Sequence, residues 1–100
     1  MAQRQLDFAL ADFDTTLAID PAHAPAFYNR ACVRSLAEER RRWPPLAFAR
    51  GAAASAITAD LEAAIALDPE VAGNARADPD LAWARRRVRT VRRLLAGDAE

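Results

Sequence analysis

The sequence predicts an all-α domain, and three observations carry that expectation. Alanine supplies 26 of the 100 residues and arginine 14, whereas the strand-favouring valine, isoleucine and threonine together supply 11. Apolar residues recur at three- and four-residue spacing, and no segment shows the alternation of a half-buried strand. Prolines stand where helices begin or end, in Asp20-Pro21, at Pro25, in Asp68-Pro69 and in Asp78-Pro79.

Each element can be placed from periodicity and punctuation. The first helix runs from about Gln3 to Ala18, with Leu6, Leu10, Phe13 and Leu17 on one stripe. Asp20-Pro21 ends it, because the residue before a proline is pushed out of helical geometry. The second starts at Pro25, whose missing N–H costs nothing in a first turn. It turns Phe27, Ala31, Cys32 and Leu36 inward and frays between Glu38 and Arg42. Trp43-Pro44-Pro45 is a firm break. The stretch from Leu46 to Ser55, with Phe48 and alanines around Gly51, fits either the opening turns of the third helix or a short separate one. The third helix proper spans about Ala54 to Leu67, with Ile57, Leu61, Ala64 and Ile65 on its apolar face, and Asp68-Pro69 closes it. The fourth opens with Asp78 as N-cap and Pro79 in its first turn, and Asp80 complements its dipole. Its stripe of Leu81, Ala84, Val88, Val91 and Leu95 continues to Gly97.

Composition sets limits on function. Half of the 52% apolar residues are alanine, so only 26 larger apolar side chains build one thin core. No span is apolar enough for a membrane. Cys32 is the single cysteine, which excludes an internal disulfide, and the first ten residues lack a signal-peptide core. The cytoplasm is the expected compartment. Fourteen arginines balance fourteen acidic residues, so the chain is no general polyanion binder, but the charge lies in blocks. Arg40, Arg41, Arg42 and Arg50 form one basic block, and the residues from Arg85 to Arg93 form another. Asp60, Glu62, Asp68, Glu70, Asp78 and Asp80 make an acidic block between them.

Two segments repeat each other. Ala9-Leu-Ala-Asp-Phe-Asp-Thr-Thr-Leu-Ala-Ile-Asp-Pro21 matches Ile57-Thr-Ala-Asp-Leu-Glu-Ala-Ala-Ile-Ala-Leu-Asp-Pro69, with Ala11-Asp12 on Ala59-Asp60 and Phe13 on Leu61. Phe27-Tyr-Asn-Arg-Ala31 comes after the first Asp-Pro stop, an aromatic residue with a small one four places on. In these features the chain resembles the tetratricopeptide repeat family, whose units are antiparallel helix pairs. The resemblance runs from about Ala9 to Leu95, and the tail from Ala75 is similar to the terminal segment after the last repeat in some bacterial members. It implies an antiparallel helical array: a lone second helix (3–20), one repeat (24–69) with an insertion at about 38–53, and a terminal segment with a capping helix (70–96). The sequence also departs from the family. Its two Asp-Pro stops lie 48 residues apart against a family period of about 34. An array this short leaves Leu6, Leu10 and Phe13 without the partner helix a full repeat supplies. Self-association into a homodimer, fold-back of the Trp43 insertion, or membership of a longer array would each provide it.

No catalytic constellation stands out. His23 lies in the loop Pro21-Ala-His-Ala-Pro25 without a second histidine, so no metal pair is expected and no cofactor is implied. Cys32 lacks a histidine at helical spacing to activate it. Carboxylates two apart, as in Asp12 and Asp14 or Asp78 and Asp80, diverge on a helix. Binding is the better expectation. By the family resemblance, the first helix of the pair lines a groove for a peptide or a partner helix, which points to Tyr28, Asn29, Cys32, Ser35 and Leu36. Asn29 matches a position that bonds the backbone of a bound peptide in the family. Trp43, between arginine and proline, is a further candidate anchor. The alternative is a nucleic-acid-associated protein using Arg85, Arg86, Arg89, Arg92 and Arg93. It is the weaker reading, because Trp83 alone could stack a base there and the acidic third helix offers internal counter-charge.

Overall fold

A computed structural model describes residues 3–41 and 47–96 of the chain. These residues are all-helical, with six α-helices and one 3-10 turn and no strand among them. The helices are α1 (Gln3–Ile19), α2 (Ala24–Glu39), α3 (Ala47–Leu67), α4 (Val71–Ala77), α5 (Ala82–Arg87) and α6 (Arg89–Ala96), with the 3-10 turn at Pro79–Leu81. None is long and apolar enough to cross a membrane. Trp43, like Arg42 and Gly97, lies outside the described residues.

The first three helices end where local chemistry ends them. Helix α1 stops at Ile19 before Asp20-Pro21, α2 carries Pro25 in its first turn, and α3 stops at Leu67 before Asp68-Pro69. Of the two arrangements that fit residues 46–55, the chain adopts the single long helix. Ala47 to Leu67 is continuous over 21 residues, with Gly51 inside it. Helix α2 contacts both α1 and α3. Leu6 is fully buried, while Leu10, Phe13 and Leu17 of the same stripe are half-buried. On α1 the large exposed side chains are instead Phe8 and Ile19, at 66% and 81%.

The terminal segment corrects the expectation of one continuous fourth helix. Asp78 caps as expected, its Oδ1 accepting from the Asp80 N–H at 2.9 Å. Beyond the cap the chain makes a 3-10 turn and then α5, and it breaks at Val88, whose backbone is extended at φ −114° and ψ 106°. All five stripe residues, Leu81, Ala84, Val88, Val91 and Leu95, are buried nonetheless. The break lets one stripe serve two surfaces. Helix α5 packs on α2, while α6 packs on α3 and α4. A straight helix carrying Leu81 to Leu95 would extend over about 21 Å and could not turn between them. Helix α4 has no counterpart among the expected elements. It is seven residues long, contains the poor helix formers Gly73 and Asn74, and buries Val71 and Ala75 one turn apart.

The main core joins α2, α3 and the terminal segment through Ala31, Cys32, Ile57, Leu61, Ala75, Leu81, Ala84, Val88, Val91 and Leu95. Several contributors are alanines, which allow close helix approach but bury little area each.

Candidate functional site

Helix α2 is the centre of the molecule, and its faces are differently occupied. Arg30 and Arg34, one turn apart, both reach the nearly buried Asp60 of α3. Arg30 donates from Nε at 3.0 Å and Nη2 at 2.7 Å, and Arg34 from Nη1 at 2.7 Å. The remaining Arg30 nitrogen, Nη1, donates to Asp14 Oδ1 of α1 at 2.8 Å. The Arg30 guanidinium also sits 5.7 Å from the Phe27 ring centroid. Hydrogen bonding to Asp60 holds the Arg30 guanidinium more firmly protonated than usual. Sequence reasoning missed this network, though Arg30 and Arg34 at helical spacing were a legible signal of a shared partner.

A second face of α2 carries Tyr28, Cys32 and Ser35, and the terminal segment covers it. The Tyr28 hydroxyl donates to Asp78 Oδ2 at 2.6 Å, and the Cys32 thiol lies 3.8 Å from the same oxygen. Ser35 Oγ accepts from the Ala84 N–H at 3.1 Å, one of the donors that the first turn of α5 leaves unpaired. Cys32 is 6% exposed and Ser35 fully buried. These two expected groove residues are therefore interior, because the chain's own tail occupies the face they present. Burial, aided by the Asp78 charge, pushes the Cys32 thiol up to about 12, so it stays protonated and a poor nucleophile near neutrality. Burial, reinforced by the bond to Asp78, likewise pushes the Tyr28 phenol up.

Toward its two ends α2 stays accessible on one side. Pro25 and Asn29 are exposed, Leu36 is half-buried, and Arg40 just past the helix end is exposed. Offsets of four, seven and four residues place them on one side of the helix, but Cys32 and Val33, between Asn29 and Leu36 on that side, are buried, so the accessible positions form two separate patches. Of the expected partner-binding residues, the structure leaves Asn29 and Leu36 accessible, with Tyr28 half-buried beside them.

The arginine-rich tail divides by role. Arg85 Nη1 donates to the carbonyls of Ala75 and Asp78, at 2.8 and 2.6 Å, at the end of α4. Arg92 Nη1 donates to the carbonyls of Arg85 and Arg86, at 3.3 and 2.8 Å, in the last turn of α5. Arg76 closes α6 in the same way, Nε donating to the Leu95 carbonyl at 2.6 Å. The expected counter-charge from acidic residues is not what holds these side chains. Helix-end carbonyls do so, and they hold Arg85 half-buried while Arg92 stays exposed with only its Nη1 engaged. Arg86, Arg87, Arg89 and Arg93 are exposed and pair with no carboxylate among the described residues.

Next to them lies a shallow depression of about 310 Å³ between α3 and α6, lined by Thr58, Glu62, Thr90, Arg93 and Leu94. The Thr58 hydroxyl donates to the Ala54 carbonyl at 2.8 Å, so in the 2.7 Å contact between the two threonines Thr90 is the donor. The described residues contain no group of three metal-ligating side chains. Comparison with family models, curated proteins and solved structures gives no match.

Proposed function

We propose that this chain is a non-catalytic protein-interaction module, a helical-repeat scaffold that offers the side of α2 carrying Asn29 and Leu36 to a segment of another protein. The observation that carries this reading is the pattern of exposure along α2. Helices α1, α3 and α5 and the 3-10 turn cover the rest of the helix, and Asn29 stays exposed with Leu36 half-buried two turns further along, an amide and an apolar side chain on one side of it. That pairing suits a peptide, whose backbone can bond the amide while one side chain packs on the leucine. The resemblance to tetratricopeptide repeats supports the same helix, since it corresponds to the groove-lining member of a pair. A single, buried and protonated cysteine is in keeping with a reducing compartment such as the cytoplasm.

The test is affinity capture from the source cell with the wild-type chain and an Asn29→Arg/Leu36→Glu variant. Asn29 is exposed but Leu36 is half-buried, so circular dichroism is read on the double variant, and Asn29→Arg alone repeats the test if its spectrum changes. The expected result is a protein retained by the wild type and lost by the variant. A wild-type chain that retains nothing, or a variant that retains the same protein, would overturn the reading.

A further inference from the structure

The arginines of this chain sort into spent and unspent. Arg30, Arg34 and Arg41 hold carboxylates, and Arg76, Arg85 and Arg92 hold helix-end carbonyls. Among the described residues Arg4, Arg40, Arg50, Arg86, Arg87, Arg89 and Arg93 do neither, and the last four fall within eight consecutive residues of the tail. Arg89 and Arg93 are one turn apart on α6, so they share a face. Arg93 also lines the α3–α6 depression, where Glu62 from α3 is a lining residue too, and the two form no ion pair. Leu94 and the Thr58–Thr90 hydroxyl pair complete the surface between them.

We infer that this surface binds an acidic, partly apolar segment of a protein partner. The inference rests on the interaction-module reading and adds a second face with a defined chemistry. Charge complementarity supplies the first support: Arg93 lines the depression and Arg89 shares its helix face one turn away, two unpaired guanidiniums that attract carboxylates. Glu62 supplies the second. A peptide carries backbone N–H donors that can satisfy a carboxylate, and the backbone of a phosphodiester strand has none. Leu94 supplies the third, an apolar contact that a peptide side chain can use. Trp83 is packed against the core, and no other aromatic residue stands on α5 or α6 to stack a nucleobase. The same arginines therefore fit a protein segment better than a nucleic acid.

Fluorescence anisotropy on the whole chain tests this with three labelled probes: a 12-residue peptide of alternating leucine and glutamate, its leucine–lysine counterpart, and a 12-nucleotide single-stranded DNA. The expected order is leucine–glutamate peptide first, DNA at least tenfold weaker, and lysine peptide without binding. Arg89→Ala/Arg93→Ala should weaken the acidic peptide at least tenfold, with circular dichroism and melting temperature unchanged. Arg89→Glu/Arg93→Glu should transfer binding to the lysine peptide. DNA binding as tightly as the peptide, acidic-peptide affinity indifferent to both variants, or no peptide binding up to millimolar concentration would each overturn the proposal. Loss of this binding alone leaves the α2 reading standing, because capture through Asn29 and Leu36 is read separately.

Discussion

Arg30 grips Asp60 with two nitrogens, Nε at 3.0 Å and Nη2 at 2.7 Å, and so ties the middle of α2 to the middle of α3. Asp60 is 2% exposed, and Arg34 adds a third bond to it from the next turn at 2.7 Å. A carboxylate buried this far from water is tolerated only because three charged hydrogen bonds replace its hydration. Asp14 reaches the same arginine from α1, with its side chain 60% exposed.

The two carboxylates should therefore differ sharply on removal. Asp60→Ala strands two partly buried guanidiniums and should cost about 3 kcal/mol. Asp14→Ala removes a solvent-screened contact and should cost less than about 0.5 kcal/mol. Urea unfolding monitored by circular dichroism measures both. Equal losses would show that burial of Asp60 does not set its contribution.

Stability should fall in alkali, and Cys32 should be one cause. The thiol moves from an ordinary value of 9.0 to about 12 on folding. Between those limits the unfolded chain has lost the proton while the folded chain keeps it, so the unfolded state binds fewer protons and stability declines as pH rises. The contribution is fully present below pH 9 and lost as pH climbs towards about 12. Tyr28, also raised, acts in the same direction. In melts from pH 8 to pH 11, Cys32→Ala should flatten the decline, and a slope identical to wild type would refute the assignment.

Adjacent arginines should behave as different residues. Arg85→Ala removes the side-chain donor from the Ala75 and Asp78 carbonyls, the latter keeping the Leu81 N–H at 3.1 Å, and should cost about 1 kcal/mol. Arg86→Ala, at an exposed position, should stay within about 0.5 kcal/mol of wild type. Chemical denaturation of the two single variants decides it, and reversal of that order would count against the capping role.

Two helical glycines offer a gain. Gly51 in α3 and Gly73 in α4 have open space where a Cβ would stand. Alanine there should add about 0.5–1 kcal/mol each through helix propensity, seen as a raised thermal midpoint. A lower midpoint would mean that one of these positions is needed as glycine.

The repeat shows how far the sequence can be read. Asp12 and Asp60 occupy matching positions in two matching segments, yet Asp12 is exposed and Asp60 is the buried hub of an ion network. Phe13 and Leu61 match likewise, one half-buried and one fully buried. Nothing in either segment distinguishes them. Position in the array does, because α3 is enclosed by α2 and α6 while α1 stands to the outside of α2.

The sequence by itself determined the helical class, the stops at Asp20-Pro21 and Asp68-Pro69, the Asp78 cap and the membership of the Leu81–Leu95 stripe in the core. Those properties depend on propensity, proline sterics and periodicity, which act over a few consecutive residues. Tertiary structure alone decided that the stripe bends at Val88, that the tail closes over Cys32 and Ser35, and which arginines remain unspent. Each of these turns on groups brought together across long stretches of chain: the Tyr28 hydroxyl meets Asp78 fifty residues on, and Ser35 finds an unpaired N–H at Ala84. A local pattern records that a side chain is polar, apolar or charged. The partner that satisfies it exists only once the chain has folded back.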